Sequence, residues 1–484
     1  MTIESASPEE TSDLVLVVDL DGTLIRSDLL WESIFAVLGR RPWVLLMIPF
    51  WWLGGRAALK GRMAELYAPV PESLPYRPEV LDYCRAAAAN GRRLVLASAS
   101  PLPWVQAVAD FLGIFQGVLA TEGDRNLKGA AKLEAIQDRL EGSPFAYIGD
   151  SPADKPIWQA SEEALGAGLG SRARRSLVSQ HRHRELSSPA RRGMPAWLSA
   201  LRLRQWAKNG LLLVPLILAH EFSDGARAGG VALSFLLFCA VASAGYILND
   251  LLDFESDRAH PKKRERPIAS GELGIGHAVA LLGAILLGAL AVTLAWAPKG
   301  LLLMLVAYMG TTLSYSVFFK RVLLLDVLVL ASLYTLRILA GGVAGAVAVS
   351  PWLLAFSAFF FLSLALVKRH AELIQARDQA LPRNRRRDYQ VEDIPMIETV
   401  GVSSGLVSVL VLCLFISSSD VSRLYATPEI LWLICPAMLY WVMRIWFLAR
   451  RGLLDDDPVL FATRDARSYV VAVLALAIIV AAAW

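Results

Sequence analysis

The chain has 484 residues, 55% hydrophobic and only 19% charged, with a formal net charge of +4. An ordinary soluble domain carries roughly 25% charged residues, so this balance excludes a disordered chain, a nucleic-acid-coating protein and a single soluble globule. The length leaves room for about three domains of ~150 residues. The four cysteines, Cys84, Cys239, Cys413 and Cys435, are far apart and form no C-x-x-C or Cys/His cluster, which argues against a disulfide framework or structural zinc. The first thirteen residues contain acids but no Lys or Arg, so the N-terminus is expected to stay in the cytosol.

Residues 1–175 read as a soluble α/β domain. Leu14–Leu24 (LVLVVDLDGTL) is an apolar, β-branched run ending in acids and a glycine, and Arg92–Ser100 and Phe145–Ser151 repeat the design. Helix-like stretches at Glu79–Asn90 and Lys128–Leu140 lie between them. Short buried strands alternating with helices predict a parallel doubly wound, Rossmann-like sheet. Residues 176–200, rich in Arg, Ser and His, are expected to be a basic linker.

The remainder, 201–484, changes solvent. Nine apolar runs, the first at 205–221 and interrupted by Pro215, are each about long enough to span ~30 Å of hydrocarbon, so this part is expected to be an all-α polytopic membrane domain. The loops after the even-numbered runs hold nineteen Lys and Arg, whereas those after the odd-numbered runs hold only Arg227, Lys299 and Arg423. That bias places the even loops and the N-terminal domain in the cytoplasm.

In the soluble part, Asp19 and Asp21 close the first strand, where ligands bind in open α/β sheets. Ser98 ends the second strand, Lys128 follows, and Asp150 and Asp154 end the third. This is a phosphoryl-transfer set: a carboxylate nucleophile, a second carboxylate as acid, a hydroxyl and a lysine on the phosphate, and carboxylates for a cation. Order and spacing resemble the haloacid dehalogenase superfamily of phosphatases. The resemblance implies Asp19 as nucleophile and metal ligand, Asp21 as acid/base, Ser98 and Lys128 on the phosphate with Lys132 as rival, and Asp150 and Asp154 on Mg²⁺. Residues 28–77 occupy the place of a cap. Their Arg40–Gly55 stretch (RRPWVLLMIPFWWLGG) is too short to span but long enough to lie in a membrane interface; the alternative is packing on the sheet domain.

In the membrane part, Asp250, Asp253 and Asp257 are spaced i, i+3, i+7, which places them on one face of a continuing helix, beside Asn249. Lys262 and Arg266 belong to a basic run that follows. Carboxylates at a membrane helix end are costly unless they hold something, and hard cations take oxygen ligands. N-D-x-x-D-x-x-x-D followed by R-P-I-A-S-G resembles the UbiA superfamily of intramembrane prenyltransferases. This implies a Mg²⁺–diphosphate site on Asn249, Asp250, Asp253 and Asp257, with Lys262 and Arg266 on phosphate.

The loop after the sixth run departs from the family's second Asp-rich motif. Asp388, Glu392 and Asp393 lack the D-x-x-x-D spacing, and basic residues dominate. RLRQWAKN (Arg202–Asn209), Tyr315–Gly342 and KRHAEL (Lys368–Leu373) resemble the decaprenyl-phosphate phosphoribosyltransferase branch instead. On that resemblance Lys320, Arg337, Lys368 and Arg369 are candidate phosphate binders, with Glu372 and Tyr389 as further site residues. The expected activity is Mg²⁺-dependent transfer of phosphoribosyl from its diphosphate to polyprenyl phosphate, with a fused phosphatase acting on the lipid-linked product, as in cell-wall biosynthesis. The alternative is transfer of a polyprenyl group from its diphosphate to an aromatic or other small acceptor. Expected partners are a membrane lipid and a phosphorylated small molecule.

Overall fold

The computed structural model describes residues 14–123, 127–186, 194–221, 223–378, 388–418, 421–454 and 457–483. The acidic start, 187–193 of the expected linker, and 379–387 of the basic loop lie outside the described residues. Two compact units emerge: Met1–Ala200 with Ile247–Leu282, and Leu201–Tyr246 with Gly283–Trp484.

The first unit is built on six parallel strands, β1 (Val15–Asp19), β2 (Leu94–Pro101), β3 (Gly117–Thr121), β4 (Phe145–Gly149), β5 (Glu163–Ala167) and β6 (His183–Leu186), in the order β3-β2-β1-β4-β5-β6. Leu16, Val17 and Val18 are wholly buried, as a continuous apolar run must be when helices cover both faces of a sheet. Helices α1 (Leu29–Arg40), α2 (Ile48–Leu53) and α3 (Gly55–Leu66) form the insertion after β1. Next come α4 (Pro78–Ala89), α5 (Leu102–Leu112), α6 (Ala130–Arg139), α7 (Lys155–Ala160), α8 (Ser171–Val178) and α9 (Ala196–Ala200). Asp28 caps α1 by accepting from the Leu30 and Trp31 amides, a good N-cap. The strand order reverses around β1, so the carboxyl ends of β1, β2 and β4 converge on one crevice.

The linker expectation is corrected over 176–186. Ala173, Leu177 and Leu186 are buried, and β6 pairs with β5 from Ala164↔His183 to Ala167↔Leu186. Its Arg, Ser and His residues are the solvated faces of a helix and an edge strand.

Beyond α9, a 3-10 run (Leu203–Leu213) and α10 (Val214–Leu218) occupy the first expected span. Then follow α11 (Gly225–Arg258), α12 (Ile275–Trp296), α13 (Leu301–Val317), α14 (Leu325–Gly345), α15 (Pro351–Asp378), α16 (Ile394–Ile416), α17 (Val421–Leu424), α18 (Ile434–Arg450), α19 (Pro458–Ala462) and α20 (Ala466–Ala483). Among the described residues eight helices are long and apolar enough to cross a membrane. The remaining expected span, the first at 205–221, is the broken 3-10/α10 segment, because Pro215 lacks the amide a continuing helix needs. In the second unit, a Cβ at Gly401 would stand 2.1 Å from Trp446, and one at Gly405 would stand 2.5 Å from Val442. These small residues, four apart, let α18 approach α16 closely, as membrane helices require.

Candidate active sites

The first site lies at the carboxyl ends of β1, β2 and β4. Asp19 is buried; its Oδ1 accepts from Lys132 Nζ at 2.6 Å and its Oδ2 from Thr23 Oγ1 at 3.1 Å. Asp19, Asp150 and Asp154 each offer an oxygen within 4.8 Å of the others. Gly22 (φ +81) closes the turn behind them, where any Cβ would strike Asp150 Oδ2 at 2.3 Å. Asp154 Oδ1 accepts from Tyr147 Oη at 2.9 Å and its Oδ2 from the Ser151 amide at 3.0 Å. Burial, reinforced by Asp154 and Asp21 and opposed by Lys132, pushes Asp19 up to about 7. Burial, with Asp19 and Asp154, pushes Asp150 up to about 8. Such upward shifts mark a cluster of like charges that a divalent cation would relieve, so the donor set fits Mg²⁺.

Asp21 faces the same crevice. Its Oδ2 accepts from Ser98 Oγ at 2.8 Å and Ser100 Oγ at 2.7 Å, and its Oδ1 from the Leu29 amide at 2.8 Å. Ser98, expected on phosphate, therefore donates to Asp21 here, and Ser100 is a partner that sequence reasoning missed. Lys128 is exposed, whereas Lys132 lies one helical turn further on and points into the site. This corrects the lysine assignment. We expect Lys132→Met to lower phosphate release at least ~10²-fold, with Lys128→Met within about twofold of the unsubstituted chain. The reverse order, in a phosphate-release assay, would restore Lys128.

A cavity of about 320 Å³ opens beside this site between α3 and the ends of β2 and β3, lined by Lys60, Gly61, Pro101 and Thr121 among others. Lys60 Nζ donates to the Ala99 carbonyl. Burial lowers its pKa, with Asp21 and Asp28 opposing.

The second site begins at the Asp-rich end of α11. Arg266 Nη1 donates to Asp250 Oδ1 at 3.1 Å and Asp257 Oδ2 at 2.6 Å. Both aspartates are buried, while Asp253 and Asn249 are half-buried. Arg266, expected on phosphate, thus bridges the two aspartates. The guanidinium stands where their charges converge, so the position suits a cation, and Asp250 and Asp257 fit Mg²⁺ as ligands. Among the described residues the three acids do not close as tightly as the Asp19 group does. Lys262 is exposed. One step further, Arg258 makes a buried ion pair with Glu32 of α1, Nη2 to Oε1 at 2.6 Å.

The second unit holds buried cations of its own. Arg337 donates to Asn209 Oδ1 at 2.8 Å, the Leu333 carbonyl at 2.6 Å and Tyr308 Oη at 2.8 Å. Arg369 donates to Asp326 Oδ2 at 2.6 Å, to Glu372, and to Tyr315 Oη at 3.3 Å. Tyr389 Oη donates to Asp326 Oδ1 at 2.7 Å. Arg337 and Arg369, expected on phosphate, each spend three of a guanidinium's five N–H donors on protein acceptors, as buried cations in a membrane domain demand. Tyr389 and Glu372 belong to that pairing network. Lys320, also expected on phosphate, lies half-buried in the 3-10 turn Phe319–Arg321. Lys208, which sequence reasoning did not single out, pairs with Asp457. Lys368 is half-buried, with no hydrogen bond or ion pair among the described residues. Asp393 Oδ2 accepts from the Gln390 amide at 2.8 Å and closes the capping box of the 3-10 turn Val391–Asp393, a local role for that acid.

A parallel α/β domain carrying a buried carboxylate cluster, joined to a polytopic helical domain, defines a multi-pass membrane enzyme with two centres. Residues 212–464 match the UbiA prenyltransferase family and residues 16–159 the haloacid dehalogenase-like hydrolases. The chain belongs to the UbiA prenyltransferase family and has an N-terminal haloacid dehalogenase-like phosphatase domain. It is 38% identical over 95% of its length to uncharacterized protein y4nM of Sinorhizobium fredii, covering 89% of that protein. Nodulation protein NoeC of Azorhizobium caulinodans is 36% identical over 58% of the chain and 91% of its own length. Decaprenyl-phosphate phosphoribosyltransferase of Mycolicibacterium smegmatis is 32% identical over 46% of the chain and 71% of its own length.

Proposed function

We propose that the membrane domain transfers phosphoribosyl from phosphoribosyl diphosphate to a polyprenyl phosphate, and that the fused phosphatase domain removes the phosphate from the lipid-linked product. The observation that carries this reading is the pairing of Asp250 and Asp257 around a single cation position, in a chain whose relatives include phosphoribosyltransferases. Mg²⁺, held by Asp250 and Asp257 with Asp253 and Asn249 beside them, would supply charge neutralisation for a departing diphosphate.

The lipid phosphate oxygen forms the new bond to the anomeric carbon. The old carbon–oxygen bond breaks with its electron pair leaving on diphosphate. An ionised nucleophile needs no general base, so orientation and electrostatics carry the step. Lys368 is a cation that could meet a substrate phosphate, with Asp457 and Glu372 as the carboxylates that act on it in the protein. In the phosphatase domain Asp19 attacks phosphorus, Asp21 protonates the leaving ribose oxygen, and Lys132 holds the charge that develops. Asp21 then takes a proton from the water that releases phosphate. Both sites face the cytoplasm in this scheme, in keeping with the charge bias of the loops.

The test uses the full chain in lipid nanodiscs with two donor–acceptor pairs. Labelled phosphoribosyl diphosphate with polyprenyl phosphate is expected to move label into the lipid phase, with diphosphate released. Transfer seen only from a polyprenyl diphosphate to an aromatic acceptor would replace this reading with the prenyl-transfer alternative.

A further inference from the structure

The insertion after β1 carries an apolar surface that the described residues leave exposed. No residue of α2 is buried. Trp43, Leu46, Phe50 and Leu53 are 62%, 74%, 73% and 84% exposed. The packing alternative therefore fails for these side chains, although Val44 is buried. A contiguous patch of this kind marks an interaction surface. Its charge points to the partner: between Glu32 and Glu65 the sequence has no acid, but it has Arg40, Arg41, Arg56, Lys60 and Arg62. Arg41 and Arg56 are exposed, and Arg56 lies over the Trp52 ring at 5.7 Å. Aromatic and aliphatic side chains rimmed by arginines match an anionic lipid surface.

The seam between α1 and α11 says where the patch goes. Glu32 pairs with Arg258, Arg40 with Glu255 at 2.7 Å, and Gly39 lies against the Leu252 carbonyl. Moving along α1 from 32 to 40 therefore moves back along α11 from its end towards Asp250. Before Asp250, α11 has no charged residue until Arg227. The end of α1 thus lies against Leu252, within one helical turn of Asp250, and Pro42–Leu53 follows directly. Twelve residues are too few to cross hydrocarbon but enough to lie in its boundary.

We propose that Pro42–Leu53 inserts into the headgroup boundary of the bilayer that holds this chain's own helices. The cap then rides on the membrane, and the adjoining cavity beside Lys60 receives phosphomonoesters carried on lipids. The substrate half of this proposal rests on the phosphatase reading above; the docking half does not.

The experiment uses the full chain in nanodiscs of phosphatidylcholine and phosphatidylglycerol. An environment-sensitive fluorophore is placed at Leu46→Cys, with Gln137→Cys on α6 as control and the unsubstituted chain as labelling background. Nitroxide on the lipid near the headgroups is expected to quench the probe at 46 and spare the probe at 137. Equal quenching of both probes by aqueous iodide, or cross-linking at 46 between copies in place of lipid quenching, overturns docking. In a second arm, Leu46→Asp combined with Leu53→Asp is expected to lower hydrolysis of a lipid-borne phosphomonoester roughly tenfold. Hydrolysis of a small soluble phosphomonoester should be unchanged, which also shows that the domain is folded. Equal loss on both substrates overturns the substrate half. No hydrolysis of either substrate by the unsubstituted chain overturns the phosphatase reading, while the quenching result still judges docking.

Discussion

Asp19→Asn is expected to abolish phosphate release, by at least ~10³-fold, while lipid-linked product still forms and accumulates with its phosphate attached. The substitution is nearly isosteric and Thr23 can still donate to the remaining oxygen, so the fold is expected to survive. What is lost is the ionised oxygen that Lys132 holds at 2.6 Å. An amide there neither attacks phosphorus nor balances the buried ammonium. The prediction separates the two centres, because nothing in the transfer step uses Asp19. Thin-layer separation of the labelled lipid before and after acid phosphatase treatment reads the outcome. The same dephosphorylated lipid from both proteins would show that the domain does not act on the transferase product. Chelation by EDTA should reproduce the hydrolytic defect in the unsubstituted chain, with recovery on Mg²⁺ addition, since Asp19, Asp150 and Asp154 converge within 4.8 Å.

The contrast between what was legible and what was not follows from distance along the chain. Asp19, Asp150 and Asp154 could be read because each lies at the end of an apolar strand, and parallel strands bring their carboxyl ends together. The lysine could not be settled that way. Lys128 and Lys132 flank one helix start, and only the direction of α6 decides that Lys132 faces Asp19 while Lys128 faces solvent. The protein partners of Arg337 and Arg369 were hidden because they are remote: Asn209 is 128 positions from Arg337, and Asp326 is 43 from Arg369. The clue to the latter pair was a lone acid inside the apolar run that begins at Val322, which in a membrane segment announces a buried cation. Lys208 and Asp457, far apart in sequence, carried no such signal. The 176–186 stretch was misread because solvated arginines masked the short apolar repeat that docks α8 and β6.

Asp250→Asn and Asp257→Asn are each expected to lower transfer by about 10²–10³-fold, with hydrolysis of a soluble phosphomonoester unchanged. The two positions converge on one nitrogen of Arg266, at 3.1 and 2.6 Å, so neutralising either weakens the attraction for any cation held between them. Asp253, half-buried and outside that bridge, should matter less on replacement by Asn, by about tenfold. Arg266 adds a sharper test. If it only neutralises the pair until a cation arrives, Arg266→Gln removes the cation that bridges the two buried carboxylates. Transfer should then saturate at lower Mg²⁺ than in the unsubstituted chain, although the variant is less stable, since removing one partner of a buried pair costs ~3–5 kcal/mol. If Arg266 instead binds the departing diphosphate, the variant should show the same Mg²⁺ dependence with a much lower maximal rate. A Mg²⁺ titration of both proteins in nanodiscs decides between these roles. Full transfer by Asp250→Asn at ordinary Mg²⁺ would remove the carboxylate pair from the reaction altogether.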